Sequence, residues 1–392
     1  MPNAVAYEGA RVITGDGAVI EDATLIVENG VFTAVGPSSA IDGAAAGTQI
    51  DMAGKTVMPT LNNAHFHLPS ARDARTAELQ QAAYYGAGAA SSFGLDEGTV
   101  GLEMRSESIP DAARSQSAGR GITSPEPGRS EVPYWVTSEE EARAAVQELA
   151  SLDVDIVKIW VDDRGGRYER LSPELYGAVI DEAHANGLRV TAHVFRLEDA
   201  KGLLEAGIDQ FAHGIRDMDV DDEVIDMWKA RPEVVLIPNL PGPGVPVGDL
   251  SWMSGTVPAE RIAQMEANQS ENPAAQEAFG IQARNLVRLH AEGISVAFGT
   301  DGGNSWTVHQ ELEDMVRAGL SPADVIVAAT SIAAATMELD DTGTIAVGKS
   351  ADFIVLNANP LDDITHTRMI SDVYLYGSRV DRAGISSRLL GG

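Results

Sequence analysis

Apolar and polar positions alternate over short runs at both ends of the chain and gather into longer periodic stretches in its middle. Near the N-terminus, Ala4–Ala6, Arg11–Thr14, Ala23–Val27 and Val31–Val35 are β-prone runs separated by the turn signals Gly15-Asp16-Gly17 and Asn29-Gly30. Phe353–Leu356 and Asp372–Tyr376 repeat that texture near the C-terminus, with Tyr376-Gly377-Ser378 as a turn. The two β-rich ends predict one discontinuous β-sandwich domain, built from residues 1–58 and 341–392. Between them strand and helix signals alternate. Asp155–Val161 reads as a strand, and Ser172-Pro173-Glu174 opens a helix with Ser at the N-cap and Pro at the first helical position. Gly187 closes that helix before the strand Leu188–Val194. Glu198–Ala206 is a helix ended by Gly207, and Asp209–Ala212, Val234–Leu240 and Ile294–Thr300 are further strands. Ser138-Glu139-Glu140-Glu141 fits a capping box. Repeated βα units over residues 59–340 predict an α/β fold, a (β/α)8 TIM barrel. The Pro- and Gly-rich stretch from Pro241 to Pro258 reads as a long loop over the active face.

Composition narrows the partners. The 392 residues, 44% hydrophobic, suffice for a large barrel with an appendage. A formal net charge of −30 repels phosphate backbones and anionic lipid heads, so neither nucleic acid nor membrane is an expected partner. The absence of cysteine excludes disulfides, thiolate ligands and a cysteine nucleophile. Met1–Ala10 lacks the pattern of a signal peptide, and no window reaches 18 apolar residues, so a cytoplasmic enzyme is expected. Only 5 of the 28 basic residues are lysines, which singles out Lys158 inside an apolar strand.

Barrel enzymes carry their chemistry at the C-terminal ends of strands, and polar residues recur at those positions. His65 and His67, at i and i+2 beyond the apolar run Thr56–Pro59, point to one face of a strand. Lys158 lies within Asp155–Val161, His193 near the end of Leu188–Val194, His213 just after Gln210–Ala212 and Asp301 just after Val296–Thr300. Imidazoles and carboxylates are ligands for Zn2+ and similar divalent ions. Singly, each has an ordinary reading: a buried hydrogen-bonded histidine, a lysine paired with a carboxylate, an Asx turn at Gly299–Gly303. Six in strand order read together as a metal site. His184 and His290 sit at helix ends, where imidazolium complements the dipole, and His366 falls in the C-terminal β region.

The motifs His65-x-His67, Lys158, His193, Phe211-Ala212-His213-Gly214 and Gly299-Thr300-Asp301 resemble those of the amidohydrolase superfamily, specifically its imidazolonepropionase-like and prolidase-like metal-dependent hydrolases. The flanking segments Asp51–Pro59, Glu311–Pro322, Ala328–Thr330 and Gly343–Asp352 resemble that family as well, so the likeness covers nearly the whole chain. It implies two divalent ions, Zn2+ foremost. His65, His67 and Asp301 would hold the more buried ion and His193 and His213 the outer one. Lys158, carboxylated by CO2, would bridge both, since a carbamate converts a repelling cation into an anionic ligand. The resemblance further implies hydrolysis of an amide-type bond by a metal-bridging hydroxide. Asp301 would carry the proton, Lys158 and His213 would complete the catalytic set, and the protein would be a homo-oligomer. The chain departs from the family at Asn63, usually Asp, and Thr60, usually Gly. Neither is a direct ligand, so these bear on loop geometry and ligand support. Val194-Phe195-Arg196 lacks the tyrosine that carboxypeptidase-like members often carry near Phe195, which counts against a dipeptidase.

Substrate class is read from strand-end loops. Trp160, Phe195, Trp252, Met253, Trp306 and His309 are candidate contacts for an apolar or aromatic group. Arg164, Arg167, Arg196 and Arg216 lie just beyond strand ends, where one guanidinium is placed to take a carboxylate bidentately. A small molecule such as an N-acyl amino acid, an aryl amide or a carbamate fits. A mononuclear deaminase or cyclic-amide (imidazolone or lactam) hydrolase is the alternative, disfavoured by Lys158. A non-catalytic barrel scaffold is disfavoured by the complete ligand set. No Gly-rich nucleotide fingerprint follows a strand.

Overall fold

The computed structural model describes residues 4–391. Its strands, in chain order, are β1 (Val5–Ile13), β2 (Val19–Glu28), β3 (Val31–Pro37), β4 (Thr48–Asp51), β5 (Thr56–Pro59), β6 (Leu61–Phe66), β7 (Ala87–Ser92), β8 (Arg114–Ser117), β9 (Ile122–Thr123), β10 (Tyr134–Trp135), β11 (Val157–Val161), β12 (Val190–Val194), β13 (Gln210–Ala212), β14 (Val235–Ile237), β15 (Phe353–Leu356), β16 (Ile370–Leu375) and β17 (Ser378–Arg379).

Strands from the two ends of the chain share one eight-stranded sheet, ordered β17-β16-β15-β5-β1-β2-β3 with β4 beside β1. The hydrogen-bond ladder thus links strands from both ends of the chain into one continuous sheet. The two β-prone runs at Ala4–Ala6 and Arg11–Thr14 are one strand. A bulge at Gly9, whose φ of 83° glycine adopts without strain, lets the first half of β1 pair with β4 and the second with β5.

The middle of the chain forms two parallel arcs of a TIM-barrel-type arrangement: β6-β7-β8, and β10-β9-β11-β12-β13-β14. The ladder does not close through a regular strand at Ile294–Thr300. That segment makes one bridge, Leu236 to Val296, and joins the arcs through single bonds such as Ala297 N to Leu236 O and Ala64 N to Phe298 O. The reason is a close tertiary approach. Gly299 passes so close to His65 that a side chain there would lie 2.8 Å from the His65 nitrogen. Thr300 N and Asp301 N then both donate to His65 O, which turns the chain out of the ladder. The Val234–Leu240 run shortens to β14 because Pro238 brings no N–H and Asn239 turns at φ 45°.

Helix starts follow the capping chemistry. Ser138 accepts from Glu141 N ahead of the helix Glu139–Ser151, and Ser172 caps Pro173–Ala185. Leu197–Ala206 ends on Gly207 at φ 101°. Val157, Ile159 and Val161 on one face of β11 pack into the main core with Val190, Ala192 and Val194 of β12. Period-2 alternation therefore turns Lys158 and Trp160 to the opposite face, towards the centre of the arc. No helix among the described residues is long and apolar enough to cross a membrane.

Candidate metal centre

His65 is fully buried near the end of β6, and His67 follows just beyond it on the same face, 22% exposed. His193 is the penultimate residue of β12, and His213 follows β13 at φ 99°. Asp301 stands at the turn after the broken strand at φ 51°. Arg164 and Asn239 also have positive φ, so four non-glycine residues near this centre hold a conformation costly to L-residues, a mark of functional sites.

These side chains converge. Asp301 Oδ1 lies 2.9 Å from His67 Nε2 and 3.2 Å from His65 Nε2, and Oδ2 lies 3.3 Å from His213 Nε2. The His193 and His213 ring centroids are 4.6 Å apart, and those of His65 and His213 5.0 Å. Lys158 is fully buried, with Nζ 5.3 Å from the Phe93 ring and 5.4 Å from Trp160. Burial pushes Lys158 down to about 7, His65 to about 4 and His193 to about 3, and holds His213 well below its usual value. The three imidazoles are therefore neutral near pH 7, as metal ligation requires. Burial alone would raise the Asp301 carboxyl. Its close contacts with His65, His213 and His67 overcome it and hold the group well below the usual carboxylate range.

The donor set fits a divalent cation. His65 Nδ1 donates to Asn239 Oδ1 at 2.7 Å, so in the neutral ring the Nε2 lone pair faces the Asp301 anion. That opposition is resolved by a cation between them. His65 Nε2, His67 Nδ1, His213 Nδ1 and Lys158 Nζ are all buried without a hydrogen-bond partner. Ligand atoms of His65, His67 and Asp301 lie within 4.8 Å of one another. An ammonium at Lys158 would repel the ion; a neutral or carboxylated amine would not.

A profile of the amidohydrolase family matches residues 56–380. The chain belongs to the amidohydrolase family. It is an enzyme, a hydrolase of carbon–nitrogen bonds. It is 29% identical to the imidazolonepropionase of Deinococcus radiodurans, over 93% of this chain and 94% of that one. It is 25% identical to the ochratoxinase of Aspergillus niger, over 92% and 82% respectively. A crystal structure from Bifidobacterium longum that carries a prolidase name superposes with a TM-score of 0.81 at 29% identity, covering 99% of this chain and 98% of that one.

The amidohydrolase scaffold sorts the remaining candidates. Trp160 shares the inward face with Lys158 and packs against Gly121, where a side chain would clash at 2.1 Å. Phe195, 37% exposed, and Arg196, paired with Asp163, stand at the rim after β12. Trp252 and His309 pack against each other. The Trp252 ring is 5.9 Å from Tyr85, 5.6 Å from His309 and 4.5 Å from the Arg368 guanidinium, and His309 Nδ1 bonds Thr367. Met253, fully buried, joins Leu250, Val257 and Ile262, with Trp252 and Trp306 packed against them. The Pro241–Pro258 loop thus has a small apolar core of its own, which holds these aromatics.

Three residues near the centre escaped the sequence reading: Asn239, Asp162 and Glu126. Asp162 was visible in principle, since it follows Lys158 and Trp160 at the same two-residue step. Asn63, where Asp was expected, takes a supporting role: its Oδ1 accepts from Thr300 N at 3.1 Å and its Nδ2 donates to Thr300 Oγ1 at 2.9 Å, pinning the Asp301 turn to β6.

Proposed function

We propose that this amidohydrolase cleaves an amide-type bond in a small-molecule substrate, with two divalent ions, Zn2+ foremost, held by His65, His67, His193, His213, Asp301 and a carboxylated Lys158 on a (β/α)8 barrel spanning residues 59–340. One observation carries the reading: His65, His67 and His213 converge on Asp301 beside a buried lysine whose amine has no hydrogen-bond partner. The ions, when bound, supply Lewis acidity to the scissile carbonyl and lower the pKa of water. Asp301 accepts the proton of the attacking water at a carboxylate oxygen and delivers it to the leaving nitrogen. The Phe93 and Trp160 rings beside Lys158 keep that side of the site free of bulk water. His65 is held in one orientation by Asn239, so its lone pair needs no reorganisation.

Among the strand-end arginines, Arg164 is matched by Glu126 and Asp162, Arg196 by Asp163, and Arg167 lies 5.2 Å from the Tyr168 ring. Among the described residues Arg216 has no carboxylate within ion-pair distance, and its Nε and Nη2, the two parallel donors of one guanidinium edge, are unsatisfied. This supports a substrate bearing a carboxylate, an N-acyl amino acid, ahead of a neutral aryl amide or carbamate.

The test is hydrolysis of N-acyl amino acids, aryl amides, carbamates and lactams by metal-loaded protein, with metal counted per chain and Lys158→Ala as control. Two ions and amide cleavage in wild type, with loss of one ion and of cleavage in the variant, support the reading. Two tightly bound ions in Lys158→Ala refute the bridge. The trio His65, His67 and Asp301 and the likeness to imidazolonepropionase favour a second reading, a mononuclear cyclic-amide hydrolase. One ion per chain with lactam or imidazolone opening selects it.

A further inference from the structure

We infer that Asp162 is a positioning residue that fixes the tautomer of His193, with the proton on Nε2 and the lone pair on Nδ1. Asp162 is itself locked by an Arg164–Glu126 strut. Asp162 follows Val161 at the end of β11, and His193 faces it from β12, whose Trp160–His193 pairing sets the two strand ends side by side. Asp162 Oδ2 lies 2.9 Å from His193 Nε2 and 2.8 Å from Arg164 Nη1. Arg164 Nη1 and His193 Nε2 are 3.1 Å apart, a distance that taken alone would make the ring nitrogen an acceptor. The carboxylate decides between the two patterns. It carries no proton of its own to give, so Nε2–H and Nη1–H both donate to the one oxygen, and their mutual approach is the consequence. His193 is then neutral with its proton on Nε2, and its lone pair is on Nδ1.

The strut continues outward. Arg164 Nε donates to Glu126 Oε1 at 3.0 Å, and Arg164 N donates to Asp162 Oδ1 at 2.9 Å, closing a tight turn at φ 53°. Glu126 is 2% exposed and also takes Arg129 at 2.6 Å. The order is His193, Asp162, Arg164, Glu126: every anion stands between two donors and Arg164 between two anions. Both charges at the ring end are compensated, so the histidine is held without becoming an imidazolium. The strut ties the loop that carries Glu126 to His193, and among the described residues none of its members bonds His65, His67 or Asp301.

The inference rests on the metal-dependent reading above and is tested apart from activity. Nitrogen-15 NMR of histidine side chains in metal-free protein, assigned with His193→Gln, reads the tautomer directly, and calorimetric Zn2+ titration reads the two ions. Wild type should show His193 as the Nε2–H tautomer. Asp162→Ala should give a mixture of tautomers and lower the affinity of the second ion by about 10- to 100-fold, while the first changes by less than about 3-fold. Glu126→Gln should give the same pattern at smaller size, and Asp162→Glu should restore part of it. An Nδ1–H tautomer in wild type overturns the assignment. So does an equal loss at both ions, which marks a merely structural carboxylate. A single ion in wild type overturns the binuclear reading, and the NMR comparison still decides whether Asp162 holds His193.

Discussion

Asn239 is the most informative residue to change, because its side chain touches the centre and its own backbone lies in the left-handed region. Its Oδ1 accepts the Nδ1 proton of a fully buried His65 at 2.7 Å, its Nδ2 is unsatisfied, and its φ is 45°. Asn239→Ala mixes two effects. It strands a buried N–H, costing about 1–3 kcal/mol, and puts an alanine in the left-handed region, costing about 1–2 kcal/mol more. Asn239→Gly separates them, since glycine adopts that conformation freely. The glycine variant should keep its backbone yet lose the group that fixes His65. Removing such a support lowers metal affinity by about 10- to 100-fold, or roughly 1.4–2.7 kcal/mol. Asn239→Asp, with an acceptor at the same place and a charge that raises ring basicity, should keep wild-type affinity or exceed it. Competition against a fluorescent chelator gives the affinities, and thermal unfolding of the metal-free proteins gives the backbone contribution. Metal affinity in Asn239→Gly within about 3-fold of wild type would show that His65 needs no orienting partner, and the argument for a preorganised lone pair would fail.

Three further outcomes are expected. Asp301→Asn should lower kcat by at least about 1,000-fold while leaving the far-ultraviolet dichroism unchanged; near-normal turnover would remove the proton-carrying role. Arg216→Gln should cost an N-acyl amino acid about 100-fold in kcat/KM, mainly through KM, and at least tenfold less for the matching neutral amide; equal losses on both would place Arg216 in the scaffold. Asp314, pushed up to about 7 by burial against the partial compensation of Arg317, gives a pH signature. Between its ordinary value near 3.8 and about 7 the folded state holds a proton that the unfolded chain has released, so this group's contribution to stability falls as pH rises through that window and levels off above it. The difference in Tm between Asp314→Asn and wild type should therefore grow from pH 4 to pH 7; a difference flat with pH would show that Asp314 titrates normally.

What the sequence determined by itself was local. Strand-end placement of His65, His67, Lys158, His193 and His213 is legible because a two-residue period assigns faces, and because a histidine or lysine ending an apolar run has few places to go in a parallel sheet. Helix starts at Ser138 and Ser172 are legible because a cap bonds to a nitrogen three residues away. Even the family followed from these local motifs and their order. The tertiary structure decided everything whose partner lies far along the chain. Asn239 and His65 are 174 residues apart, and Asp162 and His193 are 31 apart, so no window contains both members of either pair. The break in the expected strand Ile294–Thr300 depends on how closely Gly299 passes His65, a contact between opposite ends of the barrel arcs. Trp252, Met253 and His309 show the same limit from the other side. An aromatic in a strand-end loop has one sequence signature whether it lines a pocket or fills a small core, and only the packing of Tyr85, Thr367 and Arg368 around it assigns these to a core. Hydrophobic periodicity is a property of neighbours in sequence, whereas a hydrogen-bonded, charge-compensated site is a property of neighbours in space.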